Sequence, residues 1–168
     1  MEANLIPDKF HPQIQSAKRI MAITGAGISV ASGMPTYRGE NGLYTKKATE
    51  DGIEIEDALS AGMLRRNPAL CWKYIYEIEN SCRGSSPNRA HKILSEFEHE
   101  LNIDTWIYTQ NVDGLHTEAG STQVIDIHAD VHYLYCLKCD WNEFVVDYSN
   151  ISIPPKCVLW NVTNFLSA

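Results

Sequence analysis

Short apolar runs alternate with amphipathic stretches over most of this chain. Residues 20–24 (IMAIT) are almost continuously apolar, the pattern of a strand buried on both faces of a parallel sheet. Residues 13–19 before it predict the end of an opening helix. Gly25 and Gly27 break the run, and residues 28–32 predict a helix start. Asn67 is a good N-cap with Pro68 at the first helical position, so a helix is expected to about residue 80. Cys71, Trp72, Ile75 and Ile78 form its apolar face, with Cys71 as a free core thiol. A polar turn, RGSSPN (83–88), separates it from a second helix over residues 89–98. TWIYT (105–109) and VIDIH (124–128) predict two more core strands. Strands separated by helices imply an α/β architecture with a parallel sheet.

Beyond His128 the texture changes. Residues 133–135 and 144–146 flank a CLKC turn and predict a small β-hairpin around a cysteine knuckle. The last stretch, IPPKCVLWNVTNFLSA, carries apolar residues without a period and predicts neither helix nor strand.

Composition narrows the classes. At 168 residues with 44% hydrophobic and 21% charged, the chain fits one globular domain. The net charge of -7 comes with no Lys/Arg cluster, so no nucleic-acid footprint is expected. MEANLIPDKF has no apolar signal region, and no run reaches membrane-spanning length. Five cysteines without a secretory signal point to a reducing compartment, and a cytoplasmic location is expected.

The glycine turn is the first candidate for chemistry. A strand, Gly-x-Gly and a helix start allow close backbone approach to a diphosphate. The third glycine of the dinucleotide fingerprint is missing, however. Val30 stands there and Gly33 follows, and no Lys-Ser/Thr makes it a P-loop. On its own the segment reads equally as a tight structural turn. Its company is more specific: GAGIS, SGMPTYRG, TQNVDGLH (109–116), DIHAD (126–130) and CLKC (136–139) occur in that order. This series resembles the sirtuins, the NAD-dependent protein-lysine deacylases, over roughly residues 13–157.

The resemblance implies a fold, a cofactor and roles. The fold is a partial Rossmann-like parallel sheet, the sirtuin large domain without its C-terminal half, plus a small zinc-ribbon-like β module. Residues 1–130 would be the NAD-binding region with a cofactor loop and helical insertion, 131–157 an incomplete zinc ribbon, and 158–168 an atypical tail. Gly25, Ala26, Gly27 and Ser29 would cradle the NAD phosphates. Thr36, Tyr37 and Arg38 match a mobile loop over the cofactor, where the family usually has Phe at the position of Tyr37. Gln110 would contact the ribose side, and Asn111 and Asp113 would line the nicotinamide end. His128 matches the catalytic histidine, a general base, a role to which the imidazole side chain is suited. Ala129 and Asp130 stand where the family usually has a small Gly-Ser pair.

Cys136, Cys139 and Cys157 match zinc ligands, while the fourth position, three residues after Cys157, is Trp160. His132 and Cys82 are the other candidates for that place. The implied reaction transfers an acetyl group from a protein lysine to ADP-ribose and releases nicotinamide. Acetylated-lysine proteins are the expected partners, with no nucleic acid and no membrane. One acyl-selective branch of the family carries Tyr-x-x-Arg where this chain has Ile75 and Ile78, with Glu77 and Glu79 adjacent. A neutral acyl group is therefore expected. The family's later Rossmann strands have no counterpart after Cys157, where VLWNVTNFLSA follows, so a C-terminally truncated sirtuin is expected. The alternative is a catalytically silent remnant that binds protein. A nicotinamide dehydrogenase fits less, because the glycine fingerprint is incomplete and the cysteine knuckle would be unexplained.

Overall fold

The computed structural model describes residues 11–39, 42–44, 48–157 and 165–167. Helix α1 (His11–Ser16) leads into strand β1 (Arg19–Thr24), which pairs in parallel with β2 (Asp104–Thr109). Strand β3 (Val124–Asp126) pairs in parallel on the other side of β2, giving the order β1-β2-β3. β3 is shorter than the expected strand, because the chain turns at residue 127 and Ala129 N–H bonds back to Asp126 C=O at 3.1 Å.

The apolar run of β1 is not buried on both faces. Met21 and Ile23 are 61% and 72% exposed, and Tyr108 of β2 and Ile125 of β3 are open beside them in register. Among the described residues β1 has a single strand neighbour and nothing covers this face. The sequence pattern reported a strand built for two covered faces; only one is covered here.

The connection after β1 is a seven-residue 3-10 helix, Ala26–Ser32, ended by Gly33 in the left-handed region at φ 88°. Two short helices not expected from the sequence follow, α2 (Ile55–Ala58) and α3 (Ala61–Arg66). Helix α4 (Pro68–Cys82) begins as expected: the Asn67 side chain accepts the Leu70 N–H at 3.2 Å, and Pro68 takes the first turn. Helix α5 (Arg89–His99) starts in a capping box built on Asn88 and His91. Short α6 (Leu115–Glu118) links β2 to β3.

A second, antiparallel sheet has the order β5-β4-β6, from β4 (Tyr133–Cys136), β5 (Asn142–Phe144) and β6 (Phe165–Ser167). The expected hairpin is present. The tail, read from sequence as neither helix nor strand, contributes β6 against β4, a pairing too distant in sequence for a local pattern to show. Residues 158–164 lie outside the described residues.

One helix serves both halves. Leu64, Cys71, Trp72 and Ile75 pack with Leu134, Cys136, Val145, Tyr148 and Cys157 in a single core cluster. Trp72 is fully buried with its ring 6.0 Å from that of Tyr148. The thiol of Cys71 is the expected core thiol, pushed up to about 11 by burial. A second cluster joins Tyr44, Ile55, Ala58 and Tyr74, so it anchors the loop after the 3-10 helix onto α2 and α4.

Candidate active site

The parallel sheet ends all its strands on one side, and loops from β1, β2 and β3 meet there. Thr24 closes β1, and its hydroxyl shares a 2.9 Å hydrogen bond with His116 Nε2 of α6. The next residues form the 3-10 helix whose one buried residue is Ser29, 1% exposed. Ser29 Oγ donates to Asp113 Oδ2 at 2.7 Å and accepts from Asn111 Nδ2 at 3.0 Å. Asn111 and Asp113 are themselves 7% and 4% exposed. Asn111 N–H bonds Thr109 Oγ1, and Asp113 Oδ1 takes the Leu115 N–H, both at 3.0 Å. Three side chains from two loops are therefore locked into one buried triad.

A cavity of about 690 Å³ opens beside the triad. Gly25, Ala26, Ser29, Gln110, Asn111, Asp113 and His128 form its polar end. A Cβ built on Gly25 or Gly27 would meet nothing within 4 Å, so the backbone there is open to close approach. His128 is exposed at the cavity wall. The opposite wall is apolar, with Leu59, Leu64, Cys71, Ile75 and Ile78 among its residues.

Residues 34–39 and 42–44 border one side. Tyr37 lines the cavity with Met34 and Pro35, and its ring meets Tyr44 edge-on at 5.3 Å. Burial, with Glu56 second, pushes the Tyr37 phenol up to about 12, so the ring stays neutral. Thr36 and Arg38 do not line the cavity. Thr36 donates to Arg38 C=O at 2.8 Å, and Arg38 forms a fork on Glu56 with bonds of 2.5 and 2.7 Å from Nη2. Glu56, which the sequence did not single out, thus holds the loop by its arginine. Gly42 is obligatory: a Cβ there would sit 2.7 Å from the Arg38 carbonyl carbon.

Around His128 the electrostatics are acidic. Burial, then Asp130 and Asp113, raises the Asp126 carboxyl above its usual range. Asp130 holds His132 Nδ1 at 2.7 Å and raises its pKa by that bond. The Asp130 carboxylate also sits where a Cβ on Gly114 would be, 2.8 Å away, and Gly114 has φ 70°. Ala129 adopts a left-handed φ of 59°.

Cys136, Cys139 and Cys157 gather with all three sulfurs within 4.8 Å of one another. Zinc–sulfur bonds of about 2.3 Å at the tetrahedral angle place sulfurs about 3.8 Å apart. Cys139 and Cys157 Sγ are 3.8 Å apart, so the donor set fits a tetrahedral soft-metal site. Among the described residues no fourth ligand joins them: His132 is hydrogen-bonded to Asp130, and Cys82, the last residue of α4, is not in the group. Trp160 is outside the described residues.

Two functional features escaped the sequence. His91 and His116 are 0% and 2% exposed and meet edge-on at 4.8 Å behind the triad. His116 closes the TQNVDGLH motif, but the sequence gives no sign that it pairs with His91 of another helix. The apolar cavity wall from Leu59 and Leu64 depends on α2 and α3, which were also missed.

Comparison with known proteins agrees with this geometry. Residues 25–159 match the model of the Sir2 family. The chain is 44% identical over 147 residues to NAD-dependent protein deacylase 2 of Pseudomonas aeruginosa, covering 86% of this chain and 57% of that protein. It is 46% identical over 149 residues to the Pseudomonas syringae protein of the same name, covering 87% and 59%. A crystal structure of a Sir2 homologue–NAD complex superposes with a TM-score of 0.79 at 30% identity, covering 95% of this chain and 59% of that one. A Sir2 protein bound to acetylated peptide superposes with a TM-score of 0.71 at 26% identity, covering 94% and 60%. The chain thus spans less than two thirds of the length of these relatives. With the ordered motifs, the triad of Ser29, Asn111 and Asp113 and the match over residues 25–159 all in agreement, the chain belongs to the Sir2 family.

Proposed function

We propose that this chain carries the catalytic half of an NAD-dependent protein-lysine deacetylase. The carrying observation is one cavity that brings Gly25, Ala26 and Ser29 from the β1 turn together with Asn111, Asp113 and His128. The relatives' names and the NAD and acetyl-peptide complexes of its neighbours support the reading. NAD, when bound, supplies the ADP-ribosyl group that parts from nicotinamide and accepts the acetyl group of lysine.

The chain's own residues then do the following. Gly25, Ala26 and Gly27 admit the diphosphate to the backbone, with Ser29 held beneath them by Asp113. Asn111 and Asp113, desolvated at the cavity floor, orient the nicotinamide end by directed hydrogen bonds. Gln110, exposed at the rim, serves the ribose side. Tyr37 covers the reacting carbon against water, and Thr36 and Arg38 hold its loop through Glu56. A His128 ring nitrogen takes the proton from a ribose hydroxyl as general base. Residues 1–130 would form the NAD-binding region and 131–157 the metal module, with zinc on Cys136, Cys139 and Cys157.

The acyl group is neutral in this reading. Ile75 and Ile78 stand in the apolar wall, and among the described residues no cation lines that wall to meet a carboxylate. A cytoplasmic site of action is proposed, in keeping with five cysteines of which none is in a disulfide.

The test is incubation of the purified protein with NAD and acetylated or succinylated peptide, read by mass spectrometry and nicotinamide release. Deacetylation faster than desuccinylation is expected, with His128→Ala slowing it by about 10²–10⁴-fold. Absence of both NAD binding and nicotinamide release in folded protein would overturn the proposal.

A further inference from the structure

The start of α5 is tied to the 3-10 helix by one side chain, Asn88. Its Oδ1 accepts the Ala90 N–H at 2.8 Å, and its own N–H is taken by His91 Nδ1 at 3.3 Å. These bonds alone explain an N-cap, and Asp, Ser or Thr would supply the oxygen as well. The other end of the carboxamide does something a cap does not need. Nδ2 donates to Ile28 C=O at 2.7 Å and to Ser32 Oγ at 2.9 Å, across 60 and 56 residues. Among the four common capping residues only asparagine has an acceptor and a two-proton donor on one short side chain.

The two acceptors bracket Ser29. From one side Ser29 is held by Asp113 and Asn111, which descend from β2. From the other side the turn around it is held by Asn88, which belongs to the helical layer. Between Gly25 at its start and Gly33 at its end, a 3-10 helix of poor hydrogen-bond geometry has little rigidity of its own. We infer that Asn88 is a positioning residue for the cofactor turn: through Ile28 and Ser32 it sets how deep the Gly25–Gly27 backbone sits in the cavity. It touches no reacting atom. The inference rests on the reading above that this turn takes the NAD diphosphate.

Three variants separate positioning from helix stability. Asn88→Ala removes both cap and donor. Asn88→Asp and Asn88→Ser keep a capping oxygen and lose the amide donor. Melting temperature is read by circular dichroism, the turn by amide hydrogen exchange over residues 26–33, and cofactor affinity by NAD calorimetry. The alanine variant is expected to melt lower, and the aspartate and serine variants to recover most of that loss. All three should exchange faster by about tenfold in the turn, with the amides of Arg89–His99 still protected in the capped variants. NAD affinity should fall about tenfold in all three while acetyl-peptide affinity holds. Unchanged turn exchange in the capped variants overturns the proposal, as does turn loosening that tracks melting temperature rather than the donor. Should the parent protein bind no NAD, the cofactor reading fails, and the exchange rates alone decide whether Asn88 positions the turn.

Discussion

Ala129 holds a left-handed backbone at φ 59° one residue after His128. A Cβ there costs about 1–2 kcal/mol, partly offset by the unfolded-state entropy that glycine adds. Ala129→Gly is therefore expected to stabilise the protein by about 0.5–1 kcal/mol, read from the denaturant midpoint. His116 gives a pH prediction. Burial, then the neighbouring His91, lowers its pKa to about 4. Its unfolded value is about 6.5, so its contribution is fully present above that pH and is lost as pH falls towards about 4. The loss is on the order of 3 kcal/mol, and His116→Gln, which keeps a partner for Thr24, should flatten denaturation curves across that window. At this scale the sequence was informative where a motif names the residue. Ser29, Asn111, Asp113 and His128 line one cavity, and the roles that the motifs imply for them are those proposed above. Glu56, Asn88 and the His91–His116 pair were not legible, because their importance lies in contacts across tens of residues that no spacing encodes.

Elements were legible in proportion to how much of their signal is local. Helix α4 announced its start through Asn67 and Pro68, and its apolar face through Cys71, Trp72 and Ile75. Asn67→Ala should cost about 1 kcal/mol by loss of the bond from Leu70 N–H, measured as a shift in urea midpoint. Helices α2 and α3 are four and six residues long, too short for a period to emerge, and they exist because Ile55, Ala58 and Leu64 find core partners elsewhere. β6 was invisible for the same reason: its hydrogen bonds go to β4, some thirty residues earlier. β1 shows the opposite error. Its composition was right for a strand with two covered faces, yet Met21 and Ile23 lie open.

That open face governs the whole molecule. With Met21, Ile23, Tyr108 and Ile125 exposed together beside a strand edge unpaired among the described residues, self-association is expected. Ile23→Lys, at a site 72% exposed, should raise the monomer fraction in light scattering while changing stability by no more than about 0.5 kcal/mol. The cysteine cluster works on the same scale. One zinc per chain is expected by elemental analysis, and a chelator should lower the melting temperature by at least about 5 °C.

Helix α4 has one consequence that neither end shows separately. Cys71 and Ile75 face the cavity and also belong to the core cluster that contains Cys136 and Cys157. The same two side chains thus line the proposed acyl pocket and share a core with the sulfur cluster. Stripping the metal should therefore blur the discrimination among acyl lengths before it weakens the grip on NAD. A competition between acetyl and butyryl peptides, run with and without chelator, reads that blurring directly.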